Sequence, residues 1–178
     1  MNDSKESANM KITNVEIKAK HSHLDSVRSL LSQRNAQFIG TDQQTDYYFR
    51  VSEGRLKLRQ GLVENALIFY HRDNAATARP SHIQLVKVDA HTGAGILELL
   101  TSALGTSGVV KKSREIWFVD NVKIHLDTVE GLGTFIELEA IQEHGLTGDD
   151  LRKQVVELRD LFGITEGDLI SLSYSDMV

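Results

Sequence analysis

Apolar and polar residues alternate strictly along several short stretches of the chain. Within residues 14–20, every polar side chain has one parity and every apolar side chain has the other. Because successive side chains of a β-strand point to opposite faces, this pattern predicts a strand with one polar and one apolar face. The same separation recurs in residues 56–59, 122–127 and 136–140. Four strands are therefore predicted to carry a charged face.

Strand patterns dominate the chain, and helical spacing of apolar residues occurs in a few separate places. Strands are predicted at residues 12–20, 46–52, 55–60, 66–72, 82–88, 112–119, 121–127 and 134–141. Helices are predicted at residues 24–35, 96–104 and 149–162, with a short fourth at 167–177. Eight strands suit a closed barrel. The expected fold class is therefore α+β, an eight-stranded closed antiparallel β-barrel with helices packed outside.

Turn and capping residues mark the ends of several of these elements. Residues 52–54 and 120–121 have the composition of tight hairpin turns, and Pro80 is expected in a polar loop. Thr147 with Asp150 matches the capping-box pattern at the start of the third helix. Residues 1–10 are expected to form a disordered tail, and residues 11–178 to form one domain.

Composition and charge exclude several functional classes. The chain has 178 residues, a formal net charge of -5 and no cysteine. The charge argues against an extended basic surface for duplex nucleic acid. The absence of cysteine excludes disulfides, thiolate zinc sites and cysteine nucleophiles. Because no apolar run is long enough to span a bilayer and no secretion signal is visible, we expect a cytoplasmic protein without a membrane partner, either monomer or homodimer.

The charged faces carry two kinds of side chain. Glu16, Glu137 and Glu139 supply carboxylates at strand spacing, whereas the cations of these strands are Lys18, Lys57, Arg59, Lys112 and Arg114. Lys and Arg bind phosphate oxygens, and Mg²⁺ or Mn²⁺ is bound by carboxylates together with substrate phosphates and water. Alternation alone leaves open a second interpretation, in which the charged faces simply look at solvent. The mixture of charges nevertheless favours one site for a polyphosphate and a metal.

The order of these short motifs resembles a known family across nearly the whole chain. The motifs are Glu16-Ile17-Lys18, Asp46-Tyr47-Tyr48-Phe49, Arg55-Leu56-Lys57-Leu58-Arg59, Lys112-Ser113-Arg114, Leu126-Asp127 and the stretch 131–139. Together they resemble the CYTH domain, the superfamily named for class IV adenylyl cyclase and thiamine triphosphatase and also called the triphosphate tunnel metalloenzymes. The tail Ser173-Tyr174-Ser175-Asp176 is similar to its bacterial and archaeal cyclase-like branch.

The resemblance implies a tunnel whose charged side chains face inward and whose apolar side chains pack against outer helices. It implies Mg²⁺ or Mn²⁺ as cofactor, held by Glu16, Glu137 and Glu139, with Asp127 as a further acidic candidate. The implied phosphate-binding residues are Lys18, Lys57, Arg59 and Arg114, with help from Lys112 and Arg72. Of these, Glu16, Lys18, Lys57, Arg59 and Arg114 are the expected catalytic residues. The family's first glutamate is absent, because Asn14 stands in its place.

The resemblance also implies the substrate class and leaves the reaction open. The expected substrate is a small-molecule triphosphate such as ATP, thiamine triphosphate or tripolyphosphate, either hydrolysed or, for ATP, cyclised to cyclic AMP. A binding module with little or no turnover is the alternative. His125 is expected on the tunnel wall as a hydrogen-bonding group or, second, as an acid or base. Lys20 and Lys123 are expected at the rim or surface, and Asp46 at the substrate mouth or in a surface ion pair.

Overall fold

The structure is a computed structural model that describes residues 9–72 and 77–178, and of Asn9, Arg72 and Arg79 it describes the backbone alone. The strands are β1 (Asn9–Lys20), β2 (Gln37–Phe49), β3 (Arg55–Gln60), β4 (Ala66–Arg72), β5 (Arg79–Lys87), β6 (Thr106–Val119), β7 (Val122–Val129) and β8 (Gly133–Ile141). The helices are α1 (Leu24–Gln33), α2 (Ala90–Leu104) and α3 (Gly148–Leu161). Two short 3-10 turns follow, at Glu166–Asp168 and Tyr174–Asp176.

The strands close into a barrel in the order β1, β5, β4, β3, β2, β6, β7 and β8. Every neighbouring pair is antiparallel, and β8 returns to pair with β1. Closure leaves no edge strand with unpaired backbone groups. The predicted fold, a closed eight-stranded antiparallel barrel with helices outside, is confirmed.

The main hydrophobic core lies outside the barrel, where α1 and α3 cover β1, β7 and β8. It is built from the apolar alternates of those strands and from the apolar stripes of the two helices. Its most deeply buried members include Ala19, Val27, Leu31, Ile124, Leu126, Ile136, Leu138, Leu151 and Val155. In an ordinary small barrel the apolar side chains fill the interior. Here the alternation is inverted, so the interior receives the polar set.

Two of the helices begin with the caps that their sequences provide. Thr147 N–H donates to Asp150 Oδ2 at 2.8 Å, and Asp150 N–H donates to Thr147 Oγ1 at 3.2 Å, which confirms the predicted capping box of α3. Asp89 caps α2 by accepting a hydrogen bond from Thr92 N–H at 2.8 Å. Helix α2 therefore starts six residues before its predicted start, because apolar spacing marks only its second half.

Strands β2 and β6 are both longer than their patterns predicted. β2 begins at Gln37 rather than at residue 46, and β6 begins at Thr106 rather than at residue 112. The added part of β2 pairs with the predicted part of β6, and the added part of β6 pairs with the predicted part of β2, with register shifts between Phe38 and Gly40 and between Tyr48 and Phe49. The sequence did not show the β2 extension because its inward side chains, such as Asp42 and Gln44, are polar and yet buried.

Three smaller expectations differ from the structure. Pro80 lies in β5 rather than in a loop; it pairs with Val15 of β1, while the β4 pairing ends at Ser81, so the missing N–H costs no bond to β4. The predicted fourth helix is the pair of 3-10 turns. Asn9 and Met10, placed in the predicted tail, begin β1, and residues 1–8 lie outside the described residues.

Candidate active site

The charged alternates face the inside of the barrel, where they line one cavity of about 670 Å³. The lining includes eight of the ten candidate metal- and phosphate-binding residues: Glu16, Lys18, Lys57, Arg59, Lys112, Arg114, Glu137 and Glu139. They come from β1, β3, β6 and β8, so residues that are far apart in sequence meet in the interior. The interpretation of the charged faces as solvent-facing is therefore wrong, because the closed sheet turns them inward.

Three cations converge on Asp46, which has no solvent exposure. It accepts hydrogen bonds from Lys57 Nζ at 2.9 Å, Arg59 Nε at 2.8 Å and Lys112 Nζ at 2.8 Å. Burial raises the pKa of Asp46, but the charges of Arg59, Lys112 and Lys57 hold that pKa well below its usual value. Asp46 therefore holds the cations together as an ionised carboxylate. It lies neither at the mouth nor on the surface, the two positions expected from the sequence.

Burial also affects the protonation of Lys112, one of the three cations around Asp46. It lowers the pKa of Lys112 to about 7 despite the attraction of Asp46, and repulsion by Arg59, Arg114 and Lys57 adds to the shift. Near neutral pH, a polyanion in the cavity would draw a proton onto Lys112, because a nearby negative charge favours the charged form of an amine.

Arg114 is held by two carboxylates on one side of the cavity. Its Nε and Nη2 donate to the two oxygens of Asp127 at 2.7 and 2.5 Å, and Nη2 also donates to Glu137 Oε2 at 2.6 Å. Tyr174 Oη donates to Asp127 Oδ2 at 2.8 Å. Asp127 is fully buried and is not part of the cavity wall, unlike the other predicted metal ligands. Its two oxygens already accept bonds that fix the orientation of Arg114.

The remaining predicted carboxylates form a cluster with His125. Glu16 lies opposite Glu139 in the pairing of β1 with β8, and Glu137 lies opposite Lys18, whose Nζ is 3.2 Å from Glu137 Oε1. His125 Nδ1 is 3.5 Å from Glu137 Oε2 and 3.6 Å from Glu139 Oε1. This side of the cavity can receive a divalent cation, since hard cations take carboxylate oxygens.

The same cluster shifts the pKa values of its members in opposite directions. Burial, together with the charges of Glu16 and Glu137, raises the pKa of Glu139 to about 7 against the pull of Lys123. Burial raises the pKa of Glu137 too, but Arg114 and Lys18 hold it well below its usual value. The carboxylates are therefore unequal: Glu137 stays ionised, whereas Glu139 exchanges its proton near neutral pH.

A loop between β3 and β4 contributes Glu64 to the interior, which the sequence did not predict. Glu64 Oε2 accepts a bond from Arg59 Nη1 at 2.8 Å, and Oε1 is in contact with Lys123 Nζ. Lys123 also lines the cavity, with its side chain partly exposed, so it lies on the inner wall rather than on the outer surface. Asp42 holds the loop by accepting hydrogen bonds from the backbone N–H groups of residues 62–64.

The C-terminal segment fills the barrel at the end where β1 finishes and β8 begins. Tyr174 is buried there against Tyr48 and Phe135, and its ring lies 3.8 Å from Lys18 Nζ. The backbone of this segment is tied to β1, because Ile170 N–H donates to the Lys18 carbonyl oxygen at 2.8 Å. These contacts make Tyr174 part of the floor of the cavity.

The opposite end of the cavity has a predominantly apolar wall. Its lining side chains include Met10, Ile12, Ile39, Val63, Ile83, Leu85, Phe118 and Ile141. They come from the start of β1 and β2, the ends of β5, β6 and β8, and the loop before β4. Glu64, Lys87 and Lys123 also line this end, so a ligand in the cavity would meet mainly charge at one end and a mixed but more apolar surface at the other.

Three further residues complete the comparison with the sequence. Asn14 is fully buried on the inward face of β1, and neither of its amide atoms has a hydrogen-bond partner in the described part of the chain. Lys20 is exposed, as expected. Arg72 is the last residue of β4, and its side chain lies outside the described residues.

The chain resembles the class of β-barrel proteins whose interior forms a tunnel. It shares with them a closed barrel, a cation-rich interior with a carboxylate cluster, and helices outside. The CYTH domain family model matches residues 13–174, so the chain belongs to the CYTH domain family. The resemblance drawn from the short motifs is thereby confirmed.

Solved structures show the same fold at low sequence identity. PH1012 protein from Pyrococcus horikoshii has 22% identity and a TM-score of 0.76, with 93% of this chain and 99% of that chain covered. A conserved hypothetical protein from Pyrococcus furiosus has 22% identity and a TM-score of 0.75, with the same coverage. A Vibrio parahaemolyticus protein provisionally described as an adenylate cyclase has 20% identity and a TM-score of 0.73, covering 92% and 96%.

Two further findings concern curated proteins and membrane-spanning helices. No curated protein matches the chain. Within the described residues, no helix combines the length and apolar character needed to cross a membrane.

Proposed function

We propose that this chain is a divalent-metal-dependent enzyme that hydrolyses an organic triphosphate inside the barrel. One observation carries the proposal: cations and carboxylates from four different strands line a single cavity of about 670 Å³. Membership of the CYTH domain family supports the same substrate class.

The cationic side of the cavity suits a polyphosphate chain. Arg59 and Arg114 can form paired hydrogen bonds to phosphate oxygens, whereas Lys18, Lys57 and Lys112 act as point charges. In the structure Asp46 already orients three of these cations, at distances of 2.8 to 2.9 Å. Such preorganised charge stabilises the negative charge that develops on a leaving diphosphate when water attacks the terminal phosphoryl group. The contribution of Arg72 is proposed from the family resemblance alone.

The carboxylate side suits the metal. Glu16, Glu137 and Glu139 would hold a Mg²⁺ or Mn²⁺ ion, which polarises phosphoryl oxygens and lowers the pKa of a bound water. Without the ion these carboxylates would repel the substrate. We assign Asp127 a positioning role, because it is fully buried behind the cavity wall and both of its oxygens accept bonds from Arg114.

The apolar end of the cavity favours an organic substrate over inorganic tripolyphosphate. A chain of phosphates gains nothing from the side chains of Met10, Ile12, Ile83 and Leu85, whereas an organic group buries apolar surface there. Cyclisation of ATP requires the ribose 3′ hydroxyl to be aimed at the α-phosphate. At that end Glu64 and Lys123 are already paired with each other and the rest of the wall is largely apolar, so hydrolysis is the reaction that we propose.

The test is a metal titration with ATP, thiamine triphosphate and tripolyphosphate, in which phosphate, pyrophosphate and cyclic AMP are quantified separately. We expect metal-dependent release of phosphate, faster from an organic triphosphate than from tripolyphosphate. Glu16→Gln should abolish turnover, and Lys20→Ala should leave it unchanged. Formation of pyrophosphate and cyclic AMP would show that the reaction is cyclisation rather than hydrolysis. Metal-dependent binding without any product would show that the protein is a binding module rather than an enzyme.

A further inference from the structure

The imidazole of His125 faces the carboxylate cluster without a hydrogen bond. The residue is 1% exposed, and within the described residues neither Nδ1 nor Nε2 has a hydrogen-bond partner. Buried polar atoms in proteins are nearly always paired, because an unpaired one loses its contacts with water and gains nothing in return. The absence of a hydrogen bond to this imidazole, which lies next to two carboxylates, therefore requires an explanation.

The His125 ring and the carboxylates of Glu137 and Glu139 lie close enough together to form a metal site. One ligand atom each from His125, Glu137 and Glu139 can be chosen so that all three lie within 4.8 Å of one another. Nitrogen and oxygen ligands lie about 2.0 to 2.2 Å from a first-row transition cation, so neighbouring ligands are about 3.0 Å apart in an octahedral site and about 3.4 Å apart in a tetrahedral one. The 3.5 and 3.6 Å separations from His125 Nδ1 are close to these values, whereas the oxygens of Glu137 and Glu139, within 4.8 Å of each other, would have to approach by up to about 2 Å when an ion binds.

The surroundings of the cluster hold it in place. Arg114 Nη2 donates to Glu137 Oε2 at 2.6 Å, and Lys18 Nζ lies 3.2 Å from Oε1 of the same carboxylate. His125 itself lies directly opposite Glu137 in the pairing of β7 with β8. Outer partners of this kind fix the orientation of ligands and tune the affinity of metal sites.

We propose that His125 is a direct nitrogen ligand in the metal site and that the site consequently prefers a first-row transition cation to Mg²⁺. Imidazole is a common ligand of transition metals, whereas Mg²⁺ takes oxygen ligands almost exclusively. This inference refines the metal centre on which the proposed function rests. It can be tested without substrate, so it stands or fails separately from the enzymatic activity.

The decisive measurement is pulsed electron paramagnetic resonance of the full chain loaded with Mn²⁺, with and without inorganic pyrophosphate. We expect the echo modulation of a directly bound ¹⁴N nucleus in the wild-type protein and its loss in His125→Gln. The matched control is His144→Gln, which changes an exposed histidine in the turn before α3 and should keep the signal. Circular dichroism of each variant shows whether the barrel is folded.

Calorimetric titrations with Mn²⁺ and with Mg²⁺ provide the second readout. We expect Mn²⁺ to bind more tightly than Mg²⁺, and His125→Gln to weaken Mn²⁺ binding by at least about tenfold while changing Mg²⁺ binding less. A folded wild-type protein that binds Mn²⁺ without nitrogen modulation, a signal that survives in His125→Gln, or no Mn²⁺ binding under either condition would each overturn the proposal.

Discussion

Asp46→Asn tests whether the interior charges are held by a carboxylate that belongs to the protein. Asp46 is fully buried and accepts hydrogen bonds from Lys57, Arg59 and Lys112 at 2.8 to 3.0 Å. The substitution keeps the size of the side chain and removes its charge. Three neighbouring cations would then face one another without their common counterion.

The expected loss of stability follows from the geometry. Removing one partner of a buried ion pair costs about 3 to 5 kcal/mol. Here the cations line a cavity, the Lys57 side chain retains 11% exposure and Arg59 retains 8%. Water can therefore offset part of the loss, and the amide oxygen of Asn keeps one acceptor. We expect the free energy of unfolding to fall by about 2 to 3 kcal/mol.

Urea unfolding in a chelating buffer measures this loss, and tripolyphosphate supplies a rescue. An anion that binds only the folded state stabilises it by about 2.7 kcal/mol at a hundred times its dissociation constant. The gain at a fixed concentration should be larger in Asp46→Asn than in wild type, because the freed cations bind the anion more tightly. Asp25→Asn, which alters an exposed ion pair with Arg28, is the control and should lose nothing measurable. Unfolding free energies within about 0.5 kcal/mol of wild type, with equal gains, would refute the reasoning.

Three further substitutions test other parts of the cavity. Arg59→Ala should weaken tripolyphosphate binding by calorimetry at least tenfold, since a charge-assisted hydrogen bond contributes about 1.5 to 3 kcal/mol, whereas Lys20→Ala should change it little; equal losses would contradict this. Asn14→Glu should tighten Mn²⁺ binding and lower stability without metal, because it adds a buried carboxylate; unchanged affinity would place residue 14 away from the metal. The pKa of Glu139 is raised from 4.5 to about 7 in the folded protein. Its favourable contribution to the free energy of unfolding is therefore fully present below pH 4.5 and is lost as the pH rises through 7. Glu139→Gln should flatten metal-free stability over that range and raise it at pH 8; an unchanged pH profile would exclude the shift.

Much of the fold and of the candidate site could be predicted from the alternation of polar and apolar residues along the strands. Alternation in residues 14–20 and 136–140 correctly separated the outward apolar set from the inward polar set. Parity by itself could not say which set faced inward, because both arrangements give the same sequence pattern. The family resemblance supplied that direction, and barrel closure confirms it.

Two other parts of the site have no strand periodicity in the sequence. Glu64 reaches the interior from a loop, and Tyr174 from a C-terminal 3-10 turn, so neither has the spacing of a strand. Their places depend on long-range contacts, namely Glu64 with Arg59 and Tyr174 with Asp127. The inward parity that Asp46 shares with Gln44 was visible, but only the position of β2 in the barrel shows that this face is buried.

An interior of this kind is stable only because the hydrophobic core lies elsewhere. Packing between the outer barrel face and helices α1 and α3 supplies the apolar burial that a barrel core would otherwise provide. The inner face is then free to hold charge, on the condition that each buried ion has a partner. Asp46 and Asp127 meet that condition with fixed contacts to cations, so the cations are oriented without a ligand. A triphosphate bound as proposed would exchange solvent for phosphate oxygens around cations that are already oriented, and little reorganisation would oppose it.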